Sequence, residues 1–406
     1  MTFVLAVPGP HPILTVVAWL FALGWLWQAL QWLLHGSELP DLTRLPLPRL
    51  PDPIPGAYHL TVVVPACNEE SSIAQTLRSL LSSQDIRLQI IAINDRSTDS
   101  TGQIIDQVAA EFAMSSSPHS LQALHITELP AGWLGKPHAL ALGAQRSTTP
   151  WILFTDGDVS FDAHALVRAL AYAESEEADH LVLMPDWVMG SPGECAMHGA
   201  MHAIAGWTLR MWKVADPTAR DFLGVGAFNL LRRSAYDALG GFESLRMEVL
   251  EDVRLGWRVK RAGYRQRLAL GPGLARVRWS HGAWGVVRNL EKNLFSLYRF
   301  RVLLATMAIA GVAVQIALPL VALAVGGAPR LAAVAIGVAL LVVYSRSAHI
   351  TRVPPGYVLL YPFAAALFLF AMVRSMALAL IRGGVTWRGT LYPLAELRKA
   401  AGPFWN

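Results

Sequence analysis

The sequence predicts an α/β domain with a mostly parallel sheet, carried between membrane-spanning helices. Three features predict it. Between residues 60 and 154, short β-branched apolar runs alternate with segments of helical spacing, the pattern of parallel strands joined by right-handed crossovers. Several runs end abruptly in acidic or amide side chains, most clearly in Trp151-Ile-Leu-Phe-Thr-Asp-Gly-Asp158. Elsewhere charge disappears: no Asp, Glu, Lys or Arg occurs from Phe3 to Ser37, Val302 to Pro329 or Val353 to Val373, with a shorter gap from Leu331 to Ser345. A spanning helix needs about 20 apolar residues, so three gaps are long enough and the fourth is short. With 53% apolar and 16% charged residues, a wholly soluble chain is excluded.

Taken in order, Pro12 to Leu34 reads as a spanning helix, with Trp19, Trp25, Trp27 and Trp32 as interfacial anchors. It has no basic n-region or small-residue cleavage site, so it reads as a retained anchor rather than a signal peptide. Repeated prolines between Leu39 and Pro55 then predict a stiff, extended spacer. Leu60 to Val64 is the first strand, and Asn68 and Ser71 are expected to cap a helix carrying Ile73, Leu77, Leu80 and Leu81. Leu88 to Ile93 is the second strand and Leu121 to Ile126 a weaker third. Gly135-Lys136-Pro137 opens a helix through Ala144, ahead of a fourth strand at Trp151 to Phe154. From Trp279 to Phe300, an apolar face (Trp284, Val287, Leu290, Leu294, Leu297) opposes Arg288, Lys292 and Arg299, as in an interfacial amphipathic helix.

The net charge of +5 comes largely from bases beside the apolar segments, so anionic lipid headgroups rather than nucleic acid are the expected partner. With only Cys67 and Cys195, no disulfide framework is implied. In a parallel sheet the carboxyl ends of the strands share one edge, so Asn68-Glu-Glu70, Asp95 and Asp156/Asp158 converge there. Such a set suits a nucleotide: one carboxylate for a base edge, one for ribose hydroxyls, one to hold Mg²⁺ or Mn²⁺ on a diphosphate. Lys136 adds a point charge for phosphate. Glu251-Asp252 opens a basic helix, where the N-terminus favours negative charge; the same pair also suits plain capping, with Glu251 paired to Arg254. His198 and His202 share a helical face but have no acidic companion, so packing is expected rather than zinc.

Six segments resemble the family 2 glycosyltransferases, which have the GT-A fold. They are Val-Val-Val-Pro-Ala-Cys-Asn-Glu-Glu (62–70), Asn-Asp-Arg-Ser-Thr-Asp (94–99), Gly-Lys-Pro-His-Ala-Leu (135–140), Thr-Asp-Gly-Asp (155–158), Gly226 to Phe242 and Leu250 to Gly263. Leu-Pro-Ala-Gly-Trp-Leu-Gly-Lys-Pro (129–137) further looks like the branch acting on membrane lipids, including hopanoid-associated and carotenoid glycosyltransferases and, more distantly, ceramide glucosyltransferase. The resemblance implies that Ala66 and Glu69 lie against the nucleoside and Asp95 binds the base. It also implies that Asp156 contacts ribose or metal, Asp158 ligates the cation and Asp252 is the general base. The implied reaction is inverting transfer of one sugar from a nucleotide-diphosphate sugar, a UDP-sugar by expectation, to the hydroxyl of a membrane lipid, with Mn²⁺ or Mg²⁺. Several relatives carry Gln-x-x-Arg-Trp near residue 275; here Arg278-Trp279 follows Ala275, which favours single transfer over the rival reading of a processive polysaccharide synthase. A catalytically silent scaffold is the other rival.

The expected division is an anchor (1–36), a Pro-rich linker (37–58), a GT-A domain (59–275), an amphipathic interfacial segment (276–301), C-terminal spanning helices (302–382) and a basic tail (383–406). The expected site is a bacterial inner membrane with the catalytic domain in the cytoplasm, where nucleotide sugars are found. Three full crossings after the domain would then put the basic tail outside, against the positive-inside rule. Either the short Leu331–Ser345 stretch is a partial element or the tail is an exception.

Overall fold

The computed structural model describes residues 11–402, apart from 52, 54 and 55. The start of the expected anchor (1–10), those three linker positions and the end of the tail (403–406) lie outside the described residues. In chain order come α1 (Pro12–His35), β1 (Leu60–Ala66), α2 (Ile73–Leu81), β2 (Leu88–Asp95), α3 (Thr101–Ala113), β3 (Ser120–Ile126), α4 (Gly135–Arg146) and β4 (Trp151–Phe154). Then follow β5 (Val159–Phe161), α5 (Ala165–Ser175), β6 (His180–Met184), β7 (Asp186–Trp187), α6 (Pro192–Ala205), β8 (Asn229–Arg232), α7 (Arg233–Ala238), α8 (Glu251–Arg261), β9 (Gln266–Leu270) and β10 (Ala275–Val277). The remainder is α9 (Gly282–Leu290), α10 (Asn293–Leu297), α11 (Val302–Val325), α12 (Gly327–Thr351), α13 (Tyr361–Ile381), β11 (Gly384–Trp387), β12 (Thr390–Pro393) and α14 (Leu394–Ala401).

These elements form two compact units. The first contains Leu39–Val188, Met211–Trp279 and the chain from Arg382 onward. Its seven-stranded sheet has the order β3-β2-β1-β4-β8-β6-β9. All pairs are parallel except those of β8, which runs antiparallel to both β4 and β6. Every residue of β1 is buried, as expected of a parallel strand covered on both faces. Ile73, Leu77 and Leu80, on one stripe of α2, pack on one face, while Ala139, Leu140 and Ala144 of α4 pack on the other. On the β8 side a polar relay crosses three strands. His180 Nε2 lies 3.0 Å from Asn229 Oδ1, and Gln266 Nε2 lies 2.7 Å from His180 Nδ1 and donates to Gly256 O at 3.3 Å. Burial pushes His180 down to about 4, so the relay is neutral, and it ties α8 to the sheet.

Two local expectations are corrected here. Asn68 and Ser71 do not cap α2. Ser72 occupies that position, and Asn68, at φ +58°, accepts instead from the Thr98 N–H at 2.8 Å. The proline-rich linker is not a free spacer either. Leu42 is fully buried, Arg168 donates to the carbonyls of Leu42 and Leu45 at 2.9 and 2.7 Å, and the Leu270 N–H donates to Pro40 O at 2.7 Å. Proline removes donors but leaves carbonyls, and those carbonyls hold the segment onto the domain.

The second unit contains the described chain up to Glu38, Met189–Arg210 and Ser280–Ile381. Four of its helical stretches are long and apolar enough to cross a membrane: Pro12–His35, Val302–Val325, Gly327–Thr351 and Pro355–Ile381. The short charge gap at Leu331–Ser345 therefore sits inside a 25-residue helix, flanked by Arg330 and Arg346, rather than forming a partial element. The amphipathic segment after residue 279 is two short helices, α9 and α10, not one. Trp25 and Trp32 are buried rather than interfacial: Trp25 meets Trp207 edge-on at 5.1 Å and Trp32 lies 5.2 Å from His202. Trp27 remains 62% exposed. His202 is thus part of aromatic packing between α1 and α6.

Candidate active site

At the edge where β1 and β2 end, two loops are laced together. The backbone N–H groups of Asn68, Glu69 and Glu70 donate to Ser97 Oγ, Thr101 Oγ1 and Asp99 Oδ2 at 3.1, 2.7 and 3.2 Å. In return Glu70 Oε2 accepts from the Ser100 N–H at 3.0 Å. Much of the polar density in these two motifs therefore builds the rim of a cleft. Ala66 is fully buried, and a Cβ on Gly157 would stand 3.4 Å from Ala66 Cβ, so Ala66 backs the Asp156-Gly157-Asp158 turn. Asp95, 3% exposed, takes both arms of the Arg96 guanidinium, at 2.7 and 3.2 Å.

The centre of the cleft is Lys136. Its Nζ lies 2.6 Å from Asp156 Oδ1 and 2.7 Å from Glu251 Oε1, with only 16% of the side chain exposed. It is therefore neither a solvated surface lysine nor a lone phosphate ligand. It joins the end of β4 to the start of α8. Removing one partner of a buried ion pair costs about 3–5 kcal/mol, because the other charge is stranded, so this cation determines where both carboxylates stand. Burial opposes its charge, but Asp156, Glu251 and Asp252 together hold the ammonium well above its ordinary range. Arg254, the partner of Glu251 in the plain capping alternative, lies over the Trp257 ring at 3.7 Å.

Asp252 sits in the first turn of α8. Its Oδ2 accepts from the Gly226 N–H at 2.7 Å and its Oδ1 from the Val253 N–H at 2.8 Å. Burial, then the neighbouring Glu251 carboxylate, push it up to about 6 despite the opposing pull of Lys136. Gly226 lets these charged groups close in: a Cβ would stand 2.7 Å from Asp156 Oδ2 and 3.1 Å from Lys136 Nζ, so both side-chain ends would have to shift. Lys136, Phe154, Thr155, Gly226, Glu251 and Asp252 line a small cavity at this point.

Asp158 is raised to about 7, first by burial and then by the charges of Asp156 and Glu69. A carboxyl crowded in this way gains from a hard divalent cation, which would relieve the repulsion it suffers. Among the described residues no group of three or more His, Cys, Asp or Glu side chains could hold a metal ion. Asp156 and Asp158 offer the one or two carboxylates that a cation of the Mg²⁺ type takes when substrate phosphates complete its shell.

Two participants escaped the sequence reading. Glu251 was legible only as half of an acid pair. Arg388 lies 319 residues from its partner Glu69; its Nη2 donates to Glu69 Oε1 at 2.9 Å and its Nη1 to Cys67 O at 2.8 Å. Nothing local in Trp387-Arg388-Gly389 signals such a contact.

Residues 61–240, spanning β1 through the end of α7, match the profile described as Glycosyl transferase family 2. The chain carries a family 2 glycosyltransferase domain. Its sheet, mostly parallel with acidic strand ends, is the GT-A arrangement. The 4,4'-diaponeurosporenoate glycosyltransferase of Staphylococcus haemolyticus (strain JCSC1435) is 25% identical over 201 residues, covering 48% of this chain and 50% of that protein. The protein of the same description from Staphylococcus aureus (strain USA300) is 26% identical over the same length and shares. The chain thus spans about half the length of the curated relatives it matches. Among solved structures, the mannosyltransferase PcManGT from Pyrobaculum calidifontis, in complex with GDP-Man and Mn²⁺, is 18% identical, with 91% of this chain and 97% of that one covered and a TM-score of 0.46. Residues 1–349 of S. aureus TarS in complex with UDP are 14% identical, with coverages of 81% and 93% and a TM-score of 0.39.

Beyond the matched residues, Ala275 is fully buried in β10, and Trp279 meets Trp187 edge-on at 5.8 Å. A residue at position 275 is therefore part of the packed strand.

Proposed function

We propose that the protein transfers one sugar from a nucleotide-diphosphate sugar, a UDP-sugar by preference, to the hydroxyl of a membrane lipid, with inversion. The observation that carries this reading is the cluster of Asp156, Glu251 and Asp252 around Lys136 at the strand ends. Asp252, raised to about 6 and held by two backbone N–H groups, is suited to act as the general base. It takes the acceptor proton as the acceptor oxygen forms its bond to the anomeric carbon and the bond from that carbon to the diphosphate breaks. Asp158 and Asp156 would hold Mn²⁺ or Mg²⁺; when bound, that cation supplies positive charge to the leaving diphosphate. Asp95, Glu69 and Ala66 would border the nucleoside, and Lys136 keeps the two acidic centres in register. The carotenoid glycosyltransferase relatives support a lipid-type acceptor. The test is transfer by the purified protein in lipid nanodiscs, with a panel of labelled nucleotide sugars, Mn²⁺ or Mg²⁺ and total lipid extract. A discrete organic-soluble product supports the reading, a polymer would promote the synthase, and absence of both binding and turnover would sink it.

The raised carboxyls give a pH dependence of definite sign. Asp252 must be ionised to accept a proton, so kcat falls as pH drops through about 6. Asp158 must be ionised to take the cation, so kcat/KM falls already through about 7 and more steeply below. Added cation competes with the proton at Asp158 and moves only the upper limb to lower pH. Rate profiles at two cation concentrations check this; a kcat that stays flat through the region of about 6 contradicts the role of Asp252.

We infer that the sheet domain and the tail share one side of a bacterial inner membrane, the cytoplasmic side. The contacts of Arg388 with Cys67 and Glu69 support a tail bound to that domain. The chain between Arg301 and Arg382 would then cross an even number of times, so one of its three long helices does not cross. The candidate is α13, which is tied to α9 and α10 through Arg374–Glu291 at 3.0 Å and Ser375, whose hydroxyl accepts from the Phe295 N–H at 3.0 Å. A cysteine introduced at Thr386 should be labelled from the same side as one introduced at Gln103. Labelling from opposite sides would overturn the shared location.

A further inference from the structure

The chain from Arg382 onward folds back as a small module on the same unit as the sheet. Strands β11 and β12 pair antiparallel from Gly384↔Pro393 to Trp387↔Thr390, and the Leu394 N–H closes the base on Gly383 O at 2.8 Å. Val385, Tyr392 and Leu394 are buried, and Leu397 of α14 is fully buried. Its contacts fall on two of the strand-end motifs and on the start of α4. Arg388 reaches Cys67 and Glu69 after β1, Tyr392 bears on Arg96 after β2, and the Gly135 N–H at the start of α4 donates to Tyr392 Oη at 3.4 Å.

The tip of this hairpin departs from turn chemistry. Its two central residues, Arg388 and Gly389, lie at φ +49° and +81°. A turn with both central residues left-handed selects Asn-Gly or Gly-Gly, because a long side chain at positive φ is strained. An arginine held there against local preference points to a task for its guanidinium. The side chain keeps 36% of its surface accessible, with one nitrogen on a backbone carbonyl and another on a carboxylate, and it is near enough to Asp156 to feel its charge. A planar fork of donors within electrostatic reach of Asp156 has the geometry that holds a phosphate through two parallel bonds.

We propose that Arg388 is a donor-site residue: the C-terminal hairpin delivers its guanidinium to the diphosphate of the nucleotide sugar, exchanging the Glu69 carboxylate for phosphate oxygens. This rests on the donor reading proposed above and extends the site to a residue about 150 positions beyond the matched domain. The tail thereby becomes part of the donor pocket rather than a membrane-flanking basic patch. Glu69 acts as the resting partner of Arg388, and the exchange couples donor entry to the seating of the hairpin over the cleft.

The experiment is calorimetric titration of the full chain in nanodiscs with UDP, GDP and the corresponding nucleosides, each with Mn²⁺. Three variants are compared with wild type: Arg388→Ala, Arg388→Lys and Arg388→Gly. Arg388→Gly is the informative one, since glycine relieves the left-handed strain and preserves the turn while removing the guanidinium. The expected result is a loss of diphosphate affinity of roughly 10- to 100-fold in Arg388→Gly and Arg388→Ala, typical of losing a charge-assisted pair. Nucleoside binding stays unchanged, Arg388→Lys falls between, and Arg388→Gly melts no lower than wild type. If Arg388→Gly binds the diphosphate as tightly as wild type, the proposal is wrong while the donor reading stands. Tighter binding overturns it in the other direction, making Arg388 an obstructing plug. If wild type itself binds no nucleoside diphosphate with Mn²⁺, the donor reading falls and takes this proposal with it.

Discussion

Asp252→Asn is expected to bind donor nearly as wild type does and to lose roughly 10²- to 10⁴-fold in kcat, the usual contribution of a positioned general base. Size and shape are retained, so the loss isolates the proton-accepting function. The substitution is not silent structurally. The carboxylate accepts from two backbone N–H groups, of Gly226 and Val253, and an amide can satisfy only one of them. One buried donor left unmatched costs about 1–3 kcal/mol, so a lower melting temperature should accompany the kinetic loss. The deciding comparison is kcat against the dissociation constant for donor. Turnover close to that of wild type would remove Asp252 from the mechanism. A drop in donor affinity as large as the drop in rate would make it a binding residue instead.

Asp158→Asn should have the opposite profile. It is expected to abolish cation-dependent donor binding, because the amide cannot replace an anionic ligand to a hard cation. The structure adds a stability signature. Asp158 is raised from its ordinary carboxylate range to about 7, so the folded protein disfavours its charged form; that penalty builds up between the ordinary range and about 7 and is constant above it. Removing the charge without a cation should therefore raise the melting temperature at neutral pH, the sign found where function is maintained against stability. Mn²⁺ should then raise the melting temperature of wild type and leave Asp158→Asn unmoved. Thermal melts with and without Mn²⁺ decide the matter. A variant that melts below wild type without cation and still responds to Mn²⁺ would assign the cation elsewhere.

The contrast between these two carboxylates depends on neighbours that are distant in sequence. Asp252 answers chiefly to burial and to Glu251 beside it, with Lys136 opposing; Asp158 answers to burial, to Asp156 and to Glu69. Composition reveals only that acids are present. Lys136 lowers both, so what separates them is burial and which acids stand beside each.

Much was legible in the one-dimensional chain because it depends on local periodicity. Alternating apolar runs and helical stripes determined the parallel core from β1 to β4. The uncharged gaps determined that helices suited to a membrane stand at both ends, and the acidic strand ends marked the edge where the charged cleft lies. These are properties of windows of about ten to twenty residues, which strand pleat and helix pitch convert directly into buried faces. What the tertiary structure alone decided involves partners far apart in the chain. Lys136 is held by Asp156 and Glu251, the proline linker lies against Arg168 and Leu270, and β8 enters the sheet against its neighbours. The same is true of Trp25 and Trp32, which read as lipid anchors until α6 is seen to cover them, and of Arg388, which read as one more basic residue near a membrane. The physical reason is common to all of them. A side chain's charge, exposure and role are set by what packs against it, and that is chosen by the closure of the whole chain rather than by the residues beside it.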